Sequence, residues 1–159
     1  TPTAFFRFFT YGPWWRPDMA MFKFAKLLLE GKQIQVYGQG GMSRDFICVE
    51  DLVQTIVRPV EVAPGGTPPV EGDSLPLTAF RLVNVGDGKP SPLMDYIAEL
   101  ELALRKTEIK QFLPMQAGDV PNTMALADLL ERRTGYKPET PISVGVPTFV
   151  GWFRQWYNL

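Results

Sequence analysis

The chain has 159 residues, 45% hydrophobic and 21% charged, which suits one globular domain with a sizeable core. Lys+Arg total 16 against Asp+Glu 17, so the net charge of -1 lacks the basic excess that a sequence-independent nucleic-acid surface needs. Histidine is absent and Cys48 is the only cysteine, which excludes Ser-His-Asp triads, Cys-His pairs, imidazole zinc sites, four-thiolate clusters and an internal disulfide.

The run Phe5 to Thr10 is bulky and does not alternate, so it predicts a strand covered on both faces, as in a parallel sheet. Gly12 and Pro13 break it. Arg16-Pro17-Asp18 then leads into a helix with Asp18 as N-cap and Gly31 as its stop, burying Met19, Phe22, Leu28 and Leu29 and exposing Lys23 and Lys26. Gln33 to Tyr37 reads as a strand, Gly38 to Gly41 as a turn, and Arg44 to Val49 as a further strand. Glu50 and Asp51 open a helix whose apolar face is Leu52, Val53, Ile56 and Val57, ended by Pro59.

Residues 59–77 are rich in Pro and Gly and predict a long surface loop. Arg81 to Gly86 reads as a short strand. Ser91-Pro92 starts a helix with Leu93, Ile97, Leu100 and Leu104 on one stripe. After a further short strand, a helix from about Met124 to Arg133 is closed by Gly135. A last helix from about Val146 stacks Val146, Val150, Phe153 and Tyr157, with Trp152 and Trp156 nearby. The order predicts a mixed α/β fold. No apolar run approaches the ~18 residues of a membrane span, and no charged-then-apolar leader is seen. The expectation is a cytoplasmic protein that contacts neither membrane nor nucleic acid.

Several stretches carry candidate chemistry. In "GQGGMSRDF" Ser43 stands where a dinucleotide loop needs its third glycine, and a strand rather than a helix follows, so that loop is rejected. The turn is either a plain hairpin or a device that aims Arg44 at an anion. Arg16, after two tryptophans and before Pro17, is either a guanidinium fork for a carboxylate or phosphate, shielded by indoles, or an arginine stacked on Trp as packing. Asp119 in "QAGDVPNT" is either an acceptor for sugar hydroxyls or a turn aspartate bonding its own backbone. Glu50 and Asp51 read as a solvated helix start. No catalytic residue and no metal ligand is singled out.

Taken together, "RFFTYGPWWRPDMAMFKF", "IQVYGQGGMSRDFICVEDL", "RLVNVGDG", "LMDYIAELELAL", "LPMQAGDVPNT" and "GYKPETPISVGVPTFVGWFRQWY" closely resemble the NAD-dependent nucleotide-sugar epimerases of the extended short-chain dehydrogenase group. The RPDM turn and the MQxGDV segment look most like UDP-glucuronate 4-epimerases. The resemblance runs over nearly the whole chain, in order. It implies the C-terminal part of such an enzyme: one substrate-binding domain over 1–159, with two leftover strands of the nucleotide-fold sheet near 5–10 and 81–86. The family's Gly-rich loop, catalytic Ser or Thr and YxxxK pair have no counterpart here, since no tyrosine is followed four positions on by lysine.

The resemblance further implies that Arg44 contacts the diphosphate, Tyr37 lies against uracil and Asp119 bonds the ribose. Gln116 stands near the second diphosphate contact, and Thr10 and Arg16 match the pair that holds the sugar carboxylate. UDP-sugar is the implied ligand. NAD belongs to the full-length family, and no cofactor is expected on this chain alone. The implied partner is a second copy or a missing N-terminal half. The competing expectation is a self-associating module, or a decayed or recombined gene product, that takes no ligand. Three positions depart from the family pattern: one residue is lost after Thr10, Trp15 replaces a smaller or polar residue, and Leu126 replaces Asp at a helix start. In an extended segment, one deletion reverses every later side chain unless a turn absorbs it.

Overall fold

A computed structural model describes residues 2–65, 68, 70–73, 79–107 and 109–158. The fold is mixed α/β, as the residue pattern predicts. The chain divides into two compact units. The first comprises Thr1–Thr10, Asp45–Lys89 and Met124–Thr140; the second Tyr11–Arg44, Pro90–Thr123 and Pro141–Leu159.

In the first unit, β1 (Thr3–Arg7) pairs in parallel with β6 (Phe80–Asn84), Phe5 opposite Leu82 and Arg7 opposite Asn84. β2 (Phe9–Tyr11) pairs with β5 (Phe46–Cys48). Ile47, Leu52, Val83, Val85 and Leu130 form the core, with Phe6 and Leu129 packed against it. The expectation of a strand buried on both faces is corrected: β1 alternates, leaving Phe5 59% exposed, while Phe8, Phe9 and Phe80 are also open to solvent. The physical reason is that a strand is buried on both faces only where elements pack on both. Phe6 packs on the core of this unit, whereas Phe5 points to the opposite face, which no described element covers enough to bury it.

Helix α2 (Val49–Val57) begins where Glu50 and Asp51 suit the positive end of the backbone dipole. Its predicted apolar face is only partly right. Leu52 and Thr55 are buried, but Val53, Ile56 and Val57 are exposed, and so is Val60 in the short 3-10 turn that follows. Asp51 does more than begin a helix. Its carboxylate accepts hydrogen bonds from the Tyr136 hydroxyl (2.6 Å) and the Glu139 and Thr140 amides (3.2 and 2.9 Å).

Part of the Pro/Gly-rich stretch is anchored, which local composition does not announce. Arg81 in β6 and Arg133 in α4 (Asp128–Thr134) both pair with buried Asp73. Arg132 and Arg133 also donate to the carbonyls of Glu71 and Pro68. Residues 66–67, 69 and 74–77 of that predicted loop lie outside the described residues. Helix α4 starts later than predicted, so Leu126 stands before it and is exposed. Gly135, at φ 66°, ends it as expected.

The second unit is built on α1 (Ala20–Leu29), α3 (Leu93–Leu104) and α5 (Ile142–Tyr157). Helix α1 buries Met21, Phe22, Phe24, Ala25 and Leu28, whereas Met19 and Leu29 are only half-buried. Phe22 meets Phe149 and Phe153 of α5 edge-on, at 6.3 and 5.0 Å between ring centres. The predicted stripe Leu93, Ile97, Leu100, Leu104 is buried throughout, and Tyr96 joins it. Helix α5 begins earlier than predicted and carries Pro147 inside it. Burial of Val146, Phe149, Val150 and Phe153 outweighs the single hydrogen bond the proline removes.

Candidate functional site

Strand β3 (Ile34–Val36) buries Ile34 and Val36 and leaves Gln35 outside. It pairs in parallel with β8 (Lys110–Phe112), Ile34 opposite Lys110 and Val36 opposite Phe112. The pairing continues beyond both strands. Leu113 N–H donates to Val36 O (2.9 Å), Gln39 N–H to Leu113 O (3.1 Å) and Ser43 N–H to Pro121 O (3.0 Å). Ser43 also bridges to Asn122 through its backbone and its hydroxyl, the latter at 2.8 Å. Residues 110–123 therefore track along residues 34–44. This brings the segments carrying Tyr37, Arg44, Gln116 and Asp119 side by side, although more than seventy positions separate them in sequence.

The glycine turn is not a hairpin. β3 pairs with β8, while β4 (Ser43–Arg44) pairs antiparallel with β7 (Ser91–Pro92). The chain rises through positive φ at Gly38 (62°), Gln39 (53°) and Gly40 (76°). A Cβ on Gly40 would stand 3.0 Å from Met94 Sδ and 3.2 Å from the Phe112 ring, so both conformation and packing require glycine there.

NAD is the cofactor that the resemblance implies, and the turn does not fit its pyrophosphate. A phosphate cradle needs amide donors free at a helix start. Here the amides of Gln39, Gly41 and Ser43 already donate to the carbonyls of Leu113, Gly38 and Pro121, and the next regular element is β4.

Arg44 is half-buried and has no ion pair among the described residues. Its Nη1 donates to Ser43 O (2.8 Å) and Pro121 O (3.0 Å), and its Nη2 sits 3.6 Å from Met42 Sδ. Two carbonyls thus lock one side of the guanidinium, and Nε–H remains for an anion. Tyr37 is half-buried, its hydroxyl donating to Gln35 Oε1 at 3.2 Å. Gln116 and Asp119 close one exposed turn, with Asp119 N–H on Gln116 O at 3.1 Å and Gly118 at φ 89°.

The two residues expected at the sugar carboxylate are both engaged elsewhere. Thr10, in the first unit, donates its hydroxyl to Ile47 O at 3.0 Å. Arg16, in the second unit, forks onto Asp18, with Nε on Oδ1 at 3.0 Å and Nη2 on Oδ2 at 2.6 Å. This corrects two readings. Asp18 does not cap α1, whose N-cap Met19 has no side-chain bond. The tryptophans do not cover Arg16 either: Trp14 packs on Trp152 (5.5 Å) and Trp156 (4.8 Å), and the Arg16 side chain is 74% exposed. An irregular turn follows Tyr11, through Gly12 (φ 133°) and Trp14 (φ 63°).

The groups with most nucleophilic potential are held neutral. Burial and the Glu50 carboxylate, which accepts the Cys48 S–H, push the Cys48 thiol up to about 12. Burial and the bond to Asp51 raise Tyr136 well above the ordinary phenol range. No cluster of three acidic or cysteine side chains suited to a metal occurs among the described residues, and none of their helices is long and apolar enough to cross a membrane. Sequence reasoning missed one buried acid, Asp45, which is 2% exposed and breaks the predicted strand 44–49 into β4 and β5. The available signal was a charged residue, Asp45, set directly against the apolar run "FICV" that follows it.

Residues 2–69 match the NAD dependent epimerase/dehydratase family. Over 163 aligned residues the chain is 48% identical to a probable UDP-glucuronate 4-epimerase of Rhizobium meliloti (strain 1021), covering 99% of this chain and 48% of that one. It is 37% identical to UDP-glucuronate 4-epimerase 4 of Arabidopsis thaliana, covering 96% of this chain and 36% of that one. Among solved structures it resembles a UDP-glucuronic acid 4-epimerase of Bacillus cereus in complex with UDP-glucuronic acid and NAD. The TM-score is 0.82 at 27% identity, over 98% of this chain and 46% of that one. The chain thus spans about half the length of the Rhizobium meliloti relative and of the Bacillus cereus structure, and about a third of the Arabidopsis thaliana relative. With matching sequence, matching segment order and a shared α/β architecture, the chain belongs to the NAD dependent epimerase/dehydratase family, in its extended short-chain dehydrogenase branch.

Proposed function

We propose that these residues form the nucleotide-sugar cradle of a UDP-uronate 4-epimerase, in its C-terminal part, and that they do not turn over substrate alone. The observation that carries this reading is the pairing of residues 34–44 with 110–123, which sets a half-buried Arg44, without an ion pair among the described residues, beside the Gln116–Asp119 turn. A half-buried guanidinium without a counter-ion favours an anion, and a diphosphate supplies one. In this reading Tyr37 provides a face for uracil, Asp119 accepts from the ribose hydroxyls, Gln116 reaches the second phosphate, and Arg16 receives the sugar acid, while the Thr10 hydroxyl stays on the Ile47 carbonyl. Hydride and proton transfer belong to groups outside this chain, because Cys48 and Tyr136 are held neutral and no Tyr-Lys pair is present.

Calorimetry with UDP-glucuronate tests the cradle. Wild type is expected to give binding heat, and Arg44→Ala to weaken binding about ten- to a hundred-fold, the loss of hydrogen bonds to a charged partner. Binding unaffected by Arg44→Ala would remove Arg44 from the site.

A second reading is a self-associating module without ligand. The exposed Val53, Ile56, Val57 and Val60, together with Phe5, Phe9 and Phe80 in the same unit, favour it. The two readings are separable. The module reading expects a dimer or larger species in sedimentation at micromolar concentration and no heat with UDP-glucuronate. A monomer at that concentration counts against it.

A further inference from the structure

We propose that Asp18 is an internal competitor for Arg16: in the free protein its carboxylate holds the guanidinium fork, and it yields that fork to the carboxylate of a bound uronate. Asp18 is then a specificity-determining residue, acting through Arg16 on the choice between acidic and neutral sugars. The inference rests on the nucleotide-sugar reading above.

Three observations carry it. First, the Arg16–Asp18 pair has the geometry an external carboxylate would use. Both oxygens are engaged, one by Nε at 3.0 Å and the other by Nη2 at 2.6 Å. A ligand carboxylate and Asp18 cannot occupy that edge together. Second, the competitor is preset by the backbone. Arg16, Pro17, Asp18 and Met19 form a tight turn closed by Met19 N–H on Arg16 O at 3.2 Å, with the proline stiffening its second position. A carboxylate held two residues away binds with a high effective concentration.

Third, Asp18 has a second place to go. It immediately precedes α1, whose N-cap Met19 offers no side-chain bond and whose first turn holds no acid. The first amides of a helix have no partner within it, and an aspartate at its start satisfies them well. When a ligand takes Arg16, Asp18 therefore turns to the α1 start rather than remaining as an unpaired charge.

Both side chains are exposed, 74% for Arg16 and 57% for Asp18, so solvent screens the pair and the withheld affinity is modest. The pair is strong enough to bias the fork and weak enough to release it.

The test compares UDP-glucuronate with UDP-glucose by calorimetry on the full chain, for wild type, Asp18→Asn and Asp18→Ser, with circular dichroism to verify folding. Both variants remove the competing charge while keeping a side chain able to cap α1. The expected result is about two- to five-fold tighter binding of UDP-glucuronate in both variants, with UDP-glucose unchanged. Adding Arg16→Gln to Asp18→Asn should abolish that gain. An equal change for both sugars, no change, or weaker binding of UDP-glucuronate overturns the competitor role while leaving the cradle intact. Absence of binding by either sugar in every variant overturns the cradle itself and the inference with it.

Discussion

Asp45→Ala is expected to lower the stability of the first unit by about 2–4 kcal/mol in a denaturant melt, since several hydrogen bonds to one charged acceptor are lost together. The Asp45 carboxylate, 2% exposed, accepts from the amides of Asp87 (3.1 Å), Gly88 (3.3 Å) and Ala125 (2.9 Å). It joins segments that are forty to eighty positions apart, so alanine leaves amides on separate segments without their acceptor. Gly86 packs against Asp45 Oδ2, and a Cβ there would stand 2.7 Å from the Ala125 methyl, so this approach depends on glycine.

The neighbouring Asp87 gives the knot a pH signature. Burial raises its carboxyl, the Lys89 amide opposes the rise, and the Asp45 charge adds to it. Native Asp87 therefore keeps its proton to higher pH than it would in the unfolded chain. Its effect is most favourable below the unfolded value and is lost as pH rises through the folded one. Asp87→Asn should raise the melting temperature at pH 7 and flatten that decline. A pH–stability curve unaltered by Asp87→Asn would refute the account.

Gly145→Ala should destabilise the second unit by about 1–3 kcal/mol, against the ordinary rule that Gly to Ala in a helix stabilises it. Gly145 lies within α5 directly against Tyr11. A Cβ would touch the Tyr11 hydroxyl and stand 2.8 Å from Cζ and 2.9 Å from Cε2. Tyr11 is fully buried and packed edge-on to Tyr96 at 5.3 Å, so it has little room to retreat. Gly151 is the internal control: it shares α5, and nothing stands within 4 Å of its missing Cβ. Gly151→Ala should be neutral or stabilising by about 0.5–1 kcal/mol. Combining Gly145→Ala with Tyr11→Phe removes the closest atom, so the double variant should lose less than the sum of the singles. Strict additivity would show that Tyr11 is not what Gly145 makes room for.

Elements whose signal is local were legible. The α3 stripe needs only side chains three and four apart, and Leu93, Ile97, Leu100 and Leu104 are all buried. Gly135 ends α4 because its left-handed conformation stops a helix whatever surrounds it. Elements with competing local options were misread. Asp18 could cap α1 or pair with Arg16, and both partners lie within a few residues of it. Val53, Ile56 and Val57 look like a core face, yet a helix buries an apolar residue only where another element covers it, and Leu52 and Thr55 are the positions covered.

By itself the sequence determined the α/β order, the α3 stripe, the glycine stop of α4 and the lack of imidazole, because each is a property of residue identity or short spacing. The tertiary structure alone decided that residues 110–123 run beside 34–44, that Arg44 is locked by the Pro121 carbonyl, and that Asp45 gathers three distant amides. Strand partners and buried acceptors are chosen by geometry across the fold, and short-range periodicity carries no record of which distant backbone will supply them.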